Sequence, residues 1–190
     1  MAVHVVSRRR GAVGIAKAHP GAVVVDVTSK GPLPWVRLSP FFPHGGIPLP
    51  LSPGMTGESV EGIWQALKVF DAADVDLGKL RVTSMGGLKR TVRRFGAVRG
   101  HRAGVEGGEL LAYEVARRRI YLPAYRWVLE NRVGAELDEL RALDGRQDVV
   151  LLDYTTNGDV ADLSSPLSHA ALVRRWLEDD WPEEVMVPAG

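Results

Sequence analysis

The sequence contains no cysteine. Disulfides, thiolate nucleophiles and cysteine-bound zinc or iron–sulfur centres are therefore excluded, and a reducing, cytoplasmic setting fits. No apolar run approaches the ~18–20 residues that a membrane span needs, so no membrane partner is expected. The apolar run 22–25 is short and is closed at once by Asp26. The first ten residues carry Arg8, Arg9 and Arg10 but lack the apolar stretch of a signal peptide. The histidines are His4, His19, His44, His101 and His169, and none has a partner at metal-ligand spacing. Neither a metal nor a cofactor is expected. A G-x-S-x-G elbow is missing as well, which disfavours a serine hydrolase. Acidic residues are absent over the 29 positions 77–105. That window holds Lys79, Arg81, Lys89, Arg90, Arg93, Arg94, Arg99 and Arg102, whereas the net charge of the whole chain is only +1.

What is present reads as an ordinary globular chain. Hydrophobic residues make up 45% and charged residues 25% of 190, which suits one core of typical domain size. Residues 3–6, 22–28 and 149–154 read as strands, the last two as buried ones, and 22–28 is a β-branched run. Seven prolines fall between 30 and 53, so this stretch is expected to be a long irregular loop, apolar enough to pack on the body. Helices are expected at 59–70, 88–95, 109–119, 124–132 and 135–143, and a last one follows the Ser165-Pro166 cap signature. The glycine-rich stretch 96–108 reads as loop, and the residues from about 181 as a tail. Helices outnumber strands without regular alternation. The expectation is α+β: a mainly helical single domain over 1–190 with a small sheet and a long Pro-rich loop.

Three groups of residues could carry chemistry. On the helix 59–70, Glu61, Gln65 and Lys68 share a narrow strip beside the stripe Val60, Ile63, Trp64, Leu67 and Phe70. A carboxylate at such a boundary could act as a general base, with Lys68 keeping it ionised. The plain alternative is a solvated helix face. In the basic window, Lys89, Arg90, Arg93 and Arg94 share one broad helical face that could hold phosphates or a nucleic-acid backbone, or simply be solvated. Polar clusters follow two of the strands: Asp26, Thr28, Ser29 and Lys30, and then Asp153, Thr155, Thr156, Asn157 and Asp159. Parallel pairing of these strands would bring both clusters to one edge; otherwise they are turn chemistry.

The order of segments also resembles a known family. Leu38-Ser39-Pro40-Phe41-Phe42-Pro43 is followed by Ser59-Val60-Glu61-Gly62-Ile63-Trp64-Gln65-Ala66-Leu67-Lys68. This is similar to the NADAR family, in which an F-S-N-F-Y-P-like segment precedes an [ST]-x-E-H-x-x-Q-x-x-K-like helix. Pro40 stands where that family has asparagine, and Gly62 where it has histidine. The chain also has the look of an uncharacterised bacterial or phage family. The NADAR resemblance implies an N-glycosidase acting on phosphorylated riboflavin-pathway intermediates or on ADP-ribosylated bases. Glu61 would be its catalytic acid residue, with Gln65 and Lys68 around it and Phe41 in the substrate wall.

The resulting expectation is a hydrolase cleaving an N-glycosidic bond in a phosphorylated nucleotide-like or ADP-ribosylated substrate. Catalysis is assigned to Glu61, Lys68 and Gln65. Phosphates are assigned to Lys89, Arg90 and Arg93, base stacking to Trp35 or Phe41, and further substrate contact to Asn157. The alternative is a non-enzymatic binder of nucleotide or nucleic acid that uses residues 79–102.

Overall fold

The β-branched runs at both ends of the chain form the strands of one sheet. In the computed structural model, which describes residues 2–184, the strands are β1 (Val3–Ser7), β2 (Val23–Asp26), β3 (Ile47–Pro48), β4 (Thr56–Gly57), β5 (Lys68–Phe70), β6 (Val98–Arg102), β7 (Leu110–Leu111) and β8 (Val149–Asp153). The α-helices are α1 (Ala12–Ala18), α2 (Val60–Leu67), α3 (Val92–Phe95), α4 (Tyr113–Ala116), α5 (Leu122–Asn131), α6 (Gly134–Asp144) and α7 (His169–Leu177). The class is α+β, with more helix than strand. The described chain divides into two compact units, residues 2–39 with Val133–Pro182, and Pro40–Arg132 with residues 183–184. In sequence, the main segment of the second unit, Pro40–Arg132, is inserted between Ser39 and Val133 of the first.

In the first unit β8 lies between β1 and β2 and pairs with both in parallel, Leu151 standing opposite Val5 and Val25. Val149, Val150 and Leu151 are fully buried, as a central parallel strand requires. Parallel pairing brings the ends of all three strands to one edge, so the two polar clusters do share it. There Arg8 Nε donates to Asp26 Oδ2 at 2.7 Å, and the Thr28 hydroxyl donates to Asp26 Oδ1 at 2.7 Å. Asp153 accepts from the Ser168 hydroxyl at 2.8 Å. Ser168 also caps α7, accepting from Ala171 N–H. The last helix therefore starts at His169 and not at Ser165-Pro166, because Ser168 satisfies a helix donor and a buried carboxylate together.

His169 sits between two acceptors. Its Nδ1 is 2.9 Å from Asp153 Oδ2 and its Nε2 is 2.8 Å from the Val27 carbonyl. A neutral imidazole has one donor and one acceptor, so a ring between two acceptors is the cation. Burial pushes His169 down, but the Asp153 charge and hydrogen bond and the Val27 carbonyl outweigh it and hold its pKa above 6.5. Burial pushes Asp153 up, yet the His169 charge and the surrounding donors hold it below the usual carboxylate value. A raised histidine contributes stability fully below about pH 6.5, and that contribution is lost as pH rises through its folded value. The depressed Asp153 contributes above about pH 4, and its part is lost as pH falls. Thermal melts should therefore weaken from neutral toward alkaline pH, and His169→Asn should flatten that limb. An unchanged alkaline limb in His169→Asn would refute the cationic pair.

In the second unit, β5, β6 and β7 form an antiparallel sheet, with Lys68 opposite His101 and His101 opposite Leu111. Three expectations change here. The helix that begins after Ser59 ends at Leu67, so Lys68, Val69 and Phe70 are strand. Part of the glycine-rich stretch is also strand. Its glycines bracket β6: Gly96 and Gly104 have φ of +82° and +89°, a region costly for other residues. A Cβ on Gly104 would lie 2.0 Å from the Leu51 carbonyl oxygen. The expected basic helix shrinks to α3, which leaves Lys89 and Arg90 outside it. The helical run from Tyr113 to Asn131 contains a π-turn, Arg117–Tyr121. Pro123 has no N–H to give the carbonyl four residues back, which accounts for the slipped ladder.

The expected tail is partly described. Trp181 meets the ring of Trp176 edge-on, and Glu184 pairs with Arg126 at 3.0 Å. Residues 185–190 lie outside the described residues. Among the described residues no helix is long and apolar enough to cross a membrane.

Candidate active site

Helix α2 is buried along its whole length. Ser59 starts it, its hydroxyl accepting from Gly62 N–H at 3.0 Å. The Pro40 carbonyl takes the Glu61 N–H at 2.9 Å and so anchors the Pro-rich segment to the first turn. Gly62 is the residue the packing demands: a Cβ there would lie 2.7 Å from the Lys79 carbonyl oxygen. At the other end Arg90 donates to the Gln65 and Lys68 carbonyls at 3.2 and 2.6 Å. A cation there satisfies carbonyls that a helix terminus leaves open and complements its dipole.

The polar strip of α2 is not a solvated face. Glu61 is 8% exposed and Gln65 4%. Gln65 Nε2 donates to Glu61 Oε1 at 2.9 Å, and Gln65 Oε1 accepts from the Arg90 N–H at 3.0 Å. The backbone donor fixes which way the amide points, and the amide fixes the carboxylate. Burial pushes Glu61 above the ordinary carboxylate value, while Gln65, Lys68 and Lys89 pull the other way. Burial pushes Lys68 below its ordinary value, against the attraction of Glu61. Glu61 is thus a carboxylate of raised basicity on a rigid helix, with two ammonium groups in its field. Such a group can take a proton from water or stabilise positive charge beside it.

The remaining expected residues are placed as follows. Lys89 is exposed, its ammonium 5.5 Å from the Phe41 ring centre, and its charge acts on Glu61. Arg90 does not extend outward. Besides the Gln65 and Lys68 carbonyls it donates to the Asp74 carbonyl at 2.7 Å, and it lies over Phe70 and Phe95 at 5.0 and 5.3 Å. Its role in the structure is to tie segments together. Arg93 is exposed on α3 with no acidic partner among the described residues. Trp35 and Asn157 belong to the first unit. Trp35 opens the 3-10 turn Trp35–Leu38, and Asn157 ties its own turn, donating to the Asp162 and Ser165 carbonyls at 2.9 and 3.2 Å.

One residue of this site had no functional signal in the sequence. His101 is fully buried against Trp64, with ring centres 3.7 Å apart. Neither of its ring nitrogens has a hydrogen-bond partner among the described residues. Burial and the nearby Lys68 charge depress its pKa to about 3, so the ring is neutral. Its place follows from the pairing of β6 with β5, a contact remote in sequence. An unsatisfied buried polar group costs about 1–3 kcal/mol. His101→Phe should therefore raise stability by about 1 kcal/mol in urea unfolding; a loss would mean that the nitrogens are hydrogen-bonded in solution.

Among the described residues no group of three or more histidine, aspartate or glutamate side chains could hold a metal ion. A family model matches residues 7–173, and the chain belongs to that family, described as "Family of unknown function (DUF6939)". No curated protein and no solved structure matches the chain.

Proposed function

We propose that the protein hydrolyses an N-glycosidic bond in a phosphorylated nucleotide-like or ADP-ribosylated substrate, acting in the cytoplasm. The observation that carries this reading is the buried Glu61 carboxylate, oriented by Gln65 and faced by the charges of Lys68 and Lys89. The bond between the sugar carbon and the base nitrogen breaks, and its electron pair leaves with the nitrogen. Positive charge builds on the sugar ring, where a fixed carboxylate stabilises it. Water attacks the same carbon and gives a proton to Glu61. The departing nitrogen takes a proton from Lys68, whose lowered pKa makes it a better donor than an ordinary ammonium. The exposed Lys89 meets the substrate's phosphate, and Phe41 beneath it forms an apolar wall. No cofactor enters this scheme.

Mass spectrometry of products tests the reading. Wild-type protein is incubated with NAD, ADP-ribose, phosphorylated riboflavin-pathway intermediates and an ADP-ribosylated oligonucleotide. Release of a free base or of free ADP-ribose from one of them is expected. No turnover of any would count against it.

A second reading, a non-enzymatic binder of nucleic acid, is favoured by Arg93 and Arg94. Both are exposed on α3 without an acidic partner among the described residues. Part of the basic window is neutralised from just upstream, since Arg99 pairs with Asp71 at 3.4 Å and Arg102 with Asp74 at 2.7 Å. Retention of an oligonucleotide that falls steeply with salt, together with no turnover, would select this reading.

A further inference from the structure

The first unit contains a second polar site that the Glu61 chemistry does not use. A cavity of about 380 Å³ lies along β1. Its lining includes the four consecutive residues His4, Val5, Val6 and Ser7. Successive side chains of a strand point to opposite faces, so a cavity that meets all four follows the strand's edge. β1 has β8 on one side only. The rest of the wall comes from Arg10, His19, Thr156 and Arg174.

The charge around this cavity is one-sided. No carboxylate lines it. The Arg10 side chain has no hydrogen bond or ion pair among the described residues. Arg174 Nε pairs with Glu178 Oε2 at 3.6 Å, an acid outside the lining, and that Nε is buried without a hydrogen bond. Asp148, 3.5 Å from His4 Nε2, is not in the lining. The Thr156 hydroxyl is unpartnered among the described residues. Ser7 Oγ accepts from Arg9 N–H at 3.4 Å, which leaves its own hydrogen free to donate.

We propose that this edge cavity binds a small organic phosphate, with the phosphate held by Arg10, Arg174, Ser7 and Thr156. Two guanidinium forks and two hydroxyls present more donors than the two oxygens of a carboxylate can accept, whereas a phosphate monoester offers three terminal oxygens. The volume lies within the range of small-molecule sites and exceeds what a phosphate alone would fill. The organic part of the ligand occupies the remainder, against Val5, Val6 and the His4–His19 pair, whose ring centres are 4.5 Å apart.

Isothermal titration of the full chain, in low salt and without phosphate buffer, tests this with inorganic phosphate, ribose 5-phosphate and citrate. Ribose 5-phosphate should bind saturably, and inorganic phosphate and citrate each about tenfold or more weakly. Arg10→Ala and Arg174→Gln should each lower the affinity by about tenfold or more. Arg9→Ala, in the same basic run but outside the lining, should leave it unchanged, and circular dichroism should show all three variants folded. Any of three results overturns the proposal: no saturable binding of ribose 5-phosphate, citrate binding as tightly, or Arg9→Ala losing as much as Arg10→Ala.

Discussion

Glu61→Gln should abolish most turnover, lowering it by about 10²–10⁴-fold, while leaving the fold as stable as before. The amide has nearly the carboxylate's shape and keeps an oxygen to accept from Gln65 Nε2. What disappears is the negative charge, which burial already disfavours. Stability therefore has little to lose, whereas proton transfer and charge stabilisation lose their group. Substrate affinity should change far less than turnover, because Lys89 and Phe41 remain. Glu61→Asp keeps the charge but withdraws it by one methylene, and should retain part of the rate. A second consequence concerns Lys68. Its pKa is already lowered by burial, with Glu61 pulling it back up. Without that pull, Lys68 should lose its proton at a lower pH still, visible in the pH dependence of ¹⁵N or ¹³C shifts at its side chain. Steady-state product release is the deciding assay: full turnover by Glu61→Gln would remove the carboxylate from the chemistry and the glycosidase scheme with it.

The parts of this site that were legible in the sequence are those fixed by local spacing. Glu61 and Gln65 stand four apart on one helix, so their meeting follows from helical geometry once Ser59 and the stripe from Val60 to Leu67 establish α2. The runs that became β1, β2 and β8 were visible because they are rich in valine and leucine, although only β8, which lies between the other two, is buried along most of its length. What could not be seen depended on pairing between distant segments. β6 lies in a stretch whose glycines suggest loop, and they bracket the strand because its ends need positive φ and a close approach to neighbouring backbone. The position of His101 beside Lys68 and Trp64 comes only with that pairing. Charge was the most misleading cue. Arg90 reads as one cation of a basic face, yet it is 7% exposed and directed at carbonyls. A guanidinium can cap a helix as well as hold a phosphate, and residue type alone does not distinguish the two.

That reversal makes Arg90 the residue whose loss should most damage the second unit. Its guanidinium donates to the carbonyls of Gln65, Lys68 and Asp74, which belong to α2, β5 and the loop after it. The stem and fork also fill the space between Phe70 and Phe95. Arg90→Ala leaves three carbonyls without their donor and opens a gap between the rings. Taken together, these should lower stability by about 3–5 kcal/mol, the range for breaking a buried charged network. Arg90→Lys should recover only a small part, because one ammonium at the end of a flexible stem cannot reach three carbonyls in a fixed plane. Activity should fall as well, since Gln65 is oriented by the Arg90 N–H, whose place depends on this anchoring. Urea unfolding separates the two effects. A lowered midpoint with an unchanged m-value means lost stability in an otherwise native state. An unfolding free energy for Arg90→Ala within about 0.5 kcal/mol of wild type would show that the guanidinium is free, and would return Arg90 to the phosphate-binding face that its neighbours in the sequence suggest.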